Sequence, residues 1–258
     1  MHWVIQDSPY HEEGHYVLKQ TLERLELPFT EVKIVPFSHE MQPDPVCTNP
    51  IIVMGSITLA KLAVERGWTP GTFTNDNFSY AAYLDFYGEH MLNNDAVICQ
   101  FGRVTESVPW NEFFIRPMLD MKQFGGMTMS FAAQQHWAES VAEIEAKNYT
   151  TIDSRTMVVV APLKDIAREY RFFIVDGKVV TGSQYKIGDR VVYNSQVDDS
   201  WDFAQKMADL WQPARAFVLD IALVDGNYKV IEVNCINSAG YYAADVSKLV
   251  QALESMGY

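Results

Sequence analysis

The 258-residue chain is poor in cysteine: Cys47, Cys99 and Cys235 are its only three, far apart and in no Cys-x-x-Cys spacing. An odd, scattered set excludes a disulfide scaffold and reads as free thiols in a reducing compartment, so a cytoplasmic protein is expected. Long apolar runs are missing too. None reaches about 18 residues without a charge, which excludes a membrane-spanning helix. The opening Met1-His2-Trp3-Val4-Ile5-Gln6-Asp7 lacks the basic start and sustained apolar stretch of a secretory signal. Cations are scarce: 20 lysines and arginines stand against 33 aspartates and glutamates, a net charge of −13. A field of that sign repels phosphate backbones and anionic lipid, so neither nucleic acid nor a membrane surface is an expected partner. Internal repeats and low-complexity segments are absent. What is present is an ordinary globular composition, 48% apolar and 21% charged, long enough to bury one large core or two small ones.

The first hundred residues alternate short apolar runs with helical patterns. His2 to Ile5, Phe29 to Val35 and Ile51 to Met54 read as strands. Between them, Gly14 to Leu25 puts Val17, Leu18, Leu22 and Leu25 on one helical face, and Gly55-Ser56 opens a helix to about Arg66. That order suggests a small α/β layer with parallel pairing. Thr69 to Asn77, rich in Thr, Pro, Gly and Asn, is a candidate linker. Further on, Ala96 to Val104, Glu112 to Arg116 and Thr156 to Val160 read as strands, Phe131 to Ala146 as a helix, and Asp245 to Met256 as a closing helix. Two hairpin signals share one form. Asp176-Gly177 lies between Tyr170–Val175 and Val179–Ser183, and Asp225-Gly226 between Ala216–Val224 and Tyr228–Val233. The second half is therefore antiparallel sheet with packed helices, an α+β pattern.

The most specific constellation is Phe217-Val218-Leu219-Asp220 followed by Val230-Ile231-Glu232-Val233-Asn234. Glu232 and Asn234 are two apart on a strand and share a face. A carboxylate and an amide breaking an apolar run are costly unless something pairs with them. A three-residue loop over Asp225, Gly226 and Asn227 is expected, because it sets Asp220 opposite Glu232; a two-residue loop would turn Glu232 to the other face. Three such oxygen donors suit Mg²⁺ carried in with nucleotide phosphates. A solvated strand face with scattered polar residues explains the same pattern about as well.

A second set is basic. Phe113-Phe114-Ile115-Arg116-Pro117 ends an apolar strand in a guanidinium, and Lys122 and Phe124-Gly125-Gly126 follow. Paired glycines let backbone N–H groups approach phosphate oxygens, though they more often make a plain turn. Glu169 and Arg171 share a face in Glu169-Tyr170-Arg171-Phe172-Phe173-Ile174-Val175, with Lys186 and Arg190 beyond. The simplest reading of that face is a cross-strand ion pair.

Taken in this order, the pieces resemble the ATP-grasp superfamily from about Phe78 onward. The Arg116-Pro117 strand is similar to the cation-bearing strand before that family's glycine-rich loop. Thr156-Met157-Val158-Val159-Val160-Ala161-Pro162 resembles its adenine-holding segment, and Asp220, Glu232 and Asn234 match its metal positions. The closest clade is the one marked by two arginines and a lysine, placed here on Arg116, Arg171 and Lys122. The resemblance implies an α+β ATP-grasp domain over 76–258, with a smaller lobe over about 76–160 and a C-terminal lobe over about 161–258, after a small α/β domain at 1–75. It implies ATP and Mg²⁺, with adenine against Val158, Val160, Ala161 and Leu163, phosphate charge neutralised by Arg116, Lys122 and Arg171, Glu169 and Lys186 also among the nucleotide-binding residues, and Mg²⁺ on Asp220, Glu232 and Asn234; Arg171, Lys186 or Arg190 could alternatively hold the substrate carboxylate or the transferring phosphoryl group. Arg116, Arg171 and Lys122 would then be catalytic. The implied reaction joins a carboxylate to an amine of an amino acid, peptide or protein through an acylphosphate, by positioning and electrostatics. Two departures stand out: arginine replaces the usual lysine at 116, and Cys235-Ile236-Asn237-Ser238-Ala239-Gly240 replaces a proline-glycine step.

Other readings compete. His11-Glu12-Glu13-Gly14-His15 matches the His-Glu-x-x-His zinc pattern. That motif belongs inside a helix, whereas Asp7-Ser8-Pro9-Tyr10 reads as a loop and Gly14 weakens a helix; a substrate-facing loop after the first strand fits better. A kinase of the same fold would stop at phosphoryl transfer. A nucleotide-binding module without catalysis would have no reason to keep the three oxygen donors.

Overall fold

The computed structural model describes residues 1–7, 13–35, 38, 40–73, 78–119, 123–145 and 152–257. Packing divides the chain into two compact units, one of Met1–Asn75, Arg168–Ile221 and Val233–Tyr258, the other of Asp76–Ala167 and Ala222–Glu232.

The first unit opens with β1 (His2–Gln6), α1 (Glu13–Arg24), β2 (Phe29–Ile34), β3 (Met41–Gln42), β4 (Ile51–Met54), α2 (Ile57–Glu65) and β5 (Pro70–Gly71). Their sheet runs β3-β2-β1-β4-β5, and β1 lies parallel to both β2 and β4. Trp3, Val4 and Ile5 are fully buried in sequence. A strand covered on both faces reads as an unbroken apolar run. Alternation sends Val4 toward Leu59, Leu62 and Ala63 of α2, and Trp3 and Ile5 toward Leu18 and Leu22 of α1. The Ser56 hydroxyl caps α2 by accepting from the Leu59 N–H at 3.4 Å.

The second unit contains α3 (Tyr80–Tyr87), β6 (Val97–Gln100), α4 (Val104–Ser107), β7 (Glu112–Pro117), β8 (Met127–Ser130), α5 (Phe131–Glu145) and β9 (Met157–Pro162). Its antiparallel sheet has the order β6-β9-β7-β8. The strand expected over Ala96–Val104 stops at Gln100; Phe101–Arg103 is a 3₁₀ turn leading into α4. Phe101 and Val104, three apart, are both fully buried, so the apolar period changes from two to three at that point. Buried Gln134 donates to the Phe101 carbonyl at 2.9 Å and satisfies the break.

The chain returns to the first unit with β10 (Arg168–Val175), β11 (Lys178–Ile187), β12 (Arg190–Asn194), α6 (Ser200–Leu210), β13 (Ala216–Val224), β14 (Asn227–Asn234) and α7 (Val246–Glu254), in a sheet ordered β12-β11-β10-β13-β14. The far end of the β13–β14 hairpin, Ala222–Glu232, packs with the second unit. Both Asp-Gly pairs make hairpin turns. Asp176 and Gly177 have φ of 45° and 74°, and Asp225 and Gly226 have 49° and 74°. Two successive positive φ values make the two-residue turn that matches strand twist. The three-residue loop expected at Asp225 is therefore corrected to two residues, because Asp225 adopts the left-handed conformation and Asn227 already belongs to β14.

One apolar cluster joins the three segments of the first unit: Trp3, Ile5 and Leu22 meet Phe173, Val175 and Val218, and α7 adds Leu249, Val250 and Leu253. Buried Asn237 is the polar tie. Its Nδ2 donates to the Val53 carbonyl at 2.6 Å, its Oδ1 accepts from the Phe73 N–H at 2.8 Å, and its own carbonyl accepts from the Gly55 N–H at 2.8 Å. All three cysteines are free thiols. Among the described residues no helix is long and apolar enough to cross a membrane. Asn237→Ala should lower the unfolding free energy by about 1–3 kcal/mol, since it strands a buried donor and a buried acceptor. Ser238→Ala, at an exposed neighbour, should change it by less than about 0.5 kcal/mol; urea denaturation of the two variants checks both values.

Candidate functional site

In the first unit, polar side chains gather on the strands β10, β11, β13 and β14. Asp220, at the middle of β13, is 2% exposed. A carboxylate so deeply buried needs full compensation, and it receives it from two sides. Arg171 of β10 donates through Nε to Oδ1 at 2.8 Å and through Nη2 to Oδ2 at 2.7 Å, a two-pronged pair. Asn234 of β14 donates through Nδ2 to Oδ2 at 3.1 Å. Asp220 and Asn234 therefore converge although the hairpin turn is two residues long. Turn length alone does not decide which way Asn234 points.

Arg171 is held on its other sides by aromatic faces. Its guanidinium carbon lies 4.9 Å from the Tyr242 ring centre and 5.8 Å from that of Tyr185, and Nη1 donates to the Gly240 carbonyl at 3.3 Å. The Tyr185, Tyr242 and Tyr193 rings stack in series, each step 5.0 Å between centres. Burial by itself would push the Arg171 guanidinium down, but the charge and hydrogen bonds of Asp220 outweigh it and hold it above its ordinary value.

Beside this pair, Glu169 binds both the Tyr185 hydroxyl and Lys186 Nζ, each at 2.8 Å. Successive strand residues ordinarily point to opposite faces. Here the pairing slips between Glu169 and Tyr170, so Tyr185 is the extra residue of a bulge. That bulge lets Tyr185 and Lys186 reach one carboxylate. Burial, followed by the nearby Asp220 and Glu169 charges, pushes the Tyr185 phenol far above the ordinary tyrosine range.

In the second unit, Arg116 near the end of β7 pairs through Nη1 with Glu232 Oε2 at 2.7 Å. Strand neighbours Ile115 and Phe113 point into the core with Val158, Val160 and Val141, so alternation gives Arg116 the opposite face, across from Val159. Gly126 approaches that face closely: a Cβ there would stand 2.7 Å from Phe114 Cζ and 3.6 Å from Arg116 Cβ. Only a residue without a side chain lets this segment lie against the ring.

Of the residues singled out from sequence, the structure brings Arg171, Asp220 and Asn234 together, Glu169 and Lys186 together, and Arg116 and Glu232 together. Val158, Val160 and Ala161 are fully buried on β9, the first two between β6 and β7 and Ala161 beside β7 alone, while Leu163 just beyond is 45% exposed. Lys122 lies outside the described residues. So do His11 and Glu12. His15 sits in the first turn of α1 and pairs with Glu31 Oε1 at 2.8 Å, and Lys19 holds the other Glu31 oxygen at 2.7 Å. Asp7 completes a close trio with His15 and Glu31, but Lys33 approaches it at 3.4 Å. Lys19 thus pairs closely with one carboxylate of that trio, and an exposed Lys33 lies near the other. The sequence reading missed Tyr185, Tyr242 and Asn237. The aromatic pair after Gly240 was the available signal for Tyr242, whereas nothing in residue spacing marks a bulge.

A phenol whose folded pKa exceeds its unfolded value contributes stability below the unfolded pKa, about 10, and loses it as pH rises beyond. The unfolding free energy should therefore fall with pH above about 10, and less steeply in Tyr185→Phe. Urea denaturation across the alkaline range checks the difference in slope.

Comparison with solved structures gives the fold a context. The ATP-grasp ligase PsnB complexed with a minimal precursor is 14% identical over 98% of both chains, with a TM-score of 0.57. The D-cycloserine synthetase DcsG is 12% identical over 98% of both, with a TM-score of 0.62. The D-alanine–D-alanine ligase from Bacillus anthracis is 11% identical over 98% of this chain and 92% of its own, with a TM-score of 0.57. At such identities the likeness shows the fold alone, an α+β ATP-grasp architecture. No match is found among the curated proteins. Residues 28–253 match the model of an ATP-grasp domain family, the third family of the clade marked by two arginines and a lysine. The chain therefore belongs to this clade of ATP-grasp proteins.

Proposed function

We propose that the protein is an ATP- and Mg²⁺-dependent carboxylate–amine ligase acting on an amino acid, a peptide or a protein. The observation that carries this reading is the buried Asp220, joined by Asn234 and answered by Arg171, in a chain that belongs to the ATP-grasp family over most of its length. Carboxylate and carboxamide oxygens are the hard donors that Mg²⁺ takes. Asp220 and Asn234 converge to 3.1 Å, so this pair fits such an ion once the amide presents its oxygen. In this reading Asp220, Glu232 and Asn234 hold Mg²⁺, which would supply charge neutralisation between nucleotide phosphates.

The chain's own residues then have distinct tasks. Arg116, Arg171 and Lys122 gather phosphate oxygens, and arginine does so in two-pronged fashion. The backbone near Gly126 closes over the Arg116 face. The segment from Val158 to Leu163 takes the adenine at its end, where exposed Leu163 lies just past the paired part of β9. Glu169 orients Lys186 and the Tyr185 hydroxyl toward the same reaction. Carboxylate attack on the γ-phosphorus gives an acylphosphate and ADP; an amine then displaces phosphate and leaves an amide. Positioning and fixed charge do this work, and no protein nucleophile is called for.

Support for substrate class comes from neighbours. One PsnB structure holds a phosphomimetic precursor variant with Mg and ADP, and another holds a precursor peptide with AMPPNP. A net charge of −13 disfavours nucleic acid. The three free thiols fit the cytoplasm, where ATP is supplied.

Incubation with ATP, Mg²⁺ and paired acids and amines tests the reaction. Free phosphate and an amide product are expected. A phosphorylated acceptor would instead make the protein a kinase, and the absence of any nucleotide turnover or binding would defeat the reading. In a thermal-shift assay at about 100 times Kd, Mg–ADP should add about 2.7 kcal/mol of stability. Glu232→Gln should lose the magnesium-dependent part of that gain.

A further inference from the structure

The Arg171–Asp220 pair suggests more than phosphate binding, an inference that rests on the proposed function. Both Asp220 oxygens are engaged, Oδ1 by Nε and Oδ2 by Nη2 together with the Asn234 amide. The Asp220 side chain is 3% exposed and that of Arg171 is 12%. Mg²⁺ binds oxygen at about 2.0–2.1 Å. An ion at that distance from Asp220 would face a guanidinium already 2.7 Å from the same atom, two cations on one carboxylate with little water to screen them. The cation and Arg171 therefore compete for Asp220.

We propose that Arg171 is a built-in counter-ion for Asp220, which a divalent cation must displace, and that the displaced guanidinium is then taken up by nucleotide phosphate. One arginine thereby couples two binding events. A cation alone must expel a well-bound guanidinium and leave it uncompensated. A phosphate alone must pull the guanidinium away and leave a buried carboxylate bare. Arriving together, the two ligands exchange partners, and each charge ends with an opposite one.

The surroundings suit such an exchange. The Tyr242 and Tyr185 rings attract the guanidinium through a ring face rather than a single atom, with its carbon 4.9 and 5.8 Å from their centres, a contact that tolerates sliding. Its remaining bond, Nη1 to the Gly240 carbonyl at 3.3 Å, is long. Asn234 has to turn its amide so that oxygen replaces nitrogen, a rotation about one side-chain bond. Arg116 repeats the arrangement by itself in the second unit, resting on Glu232 at 2.7 Å, with side chains at 12% and 26% exposure.

The coupling is reciprocal, so both directions can be read. Mn²⁺ serves as the cation probe, followed by electron paramagnetic resonance without nucleotide. ADP serves as the phosphate probe, followed by calorimetry in excess EDTA. Arg171→Gln should bind Mn²⁺ alone about tenfold tighter than the native chain, and Arg171→Lys by an intermediate factor. Asp220→Asn, which leaves the guanidinium with a neutral partner, should bind metal-free ADP about tenfold tighter than the native chain. Loss of the Mn²⁺ gain in Arg171→Gln/Asp220→Asn would tie it to that carboxylate. Far-ultraviolet circular dichroism confirms folding, and if Arg171→Gln fails to fold, the Arg171→Lys and Asp220→Asn arms decide. Native protein that binds Mg–ADP, with variants that bind Mn²⁺ or metal-free ADP no tighter than it does, overturns the exchange. Native protein that binds no nucleotide with Mg²⁺ present refutes the proposed function instead.

Discussion

Burying a carboxylate is among the costliest acts in folding, and Asp220 in the middle of β13 is almost wholly removed from water. The strands around it are arranged to answer that cost. β10 supplies a guanidinium from one side and β14 a carboxamide from the other, while Tyr185 and Tyr242 cover the guanidinium. Replacing such a buried charged set by apolar residues of the same volume is often neutral or stabilising. The charged arrangement is thus weak evidence of added stability, and the proposed ligase reading gives it a purpose.

A bulge also contributes. Because the β10–β11 register slips beside Glu169, one carboxylate orients a phenol and an ammonium group together. A regular ladder would have sent one of them to the opposite face. The local irregularity thus concentrates polar groups next to the Arg171–Asp220 pair through one extra strand residue and no added loop.

Much of this was legible in residue order. The apolar runs at Trp3–Ile5 and Ile51–Met54 marked the parallel layer, and the two Asp-Gly pairs marked the hairpins. Asp220 and Asn234 stood out because polar side chains broke apolar strands. Three things were hidden for physical reasons. Turn length at Asp225 depends on whether an aspartate accepts a positive φ, which composition does not reveal. The bulge at Tyr185 changes the facing of residues without changing their identity. The helical turn after Gln100 needed knowledge of what Phe101 and Val104 would bury against. Arginine at 116 and 171 was visible as charge, but its seat on Glu232 and on Asp220 emerges only when distant strands are brought side by side.

The first unit draws its core from chain segments far apart. Trp3 and Leu22 pack with Leu249 and Leu253, and the Trp3 indole N–H donates to Glu254 at 2.5 Å, 251 positions away. A nascent chain emerging from the ribosome would hold the Trp3–Leu22 cluster only partly covered until α7 appears. Contacts of such long sequence separation form late and leave sticky surface exposed meanwhile. Refolding from denaturant should accordingly be slow for a protein of this size.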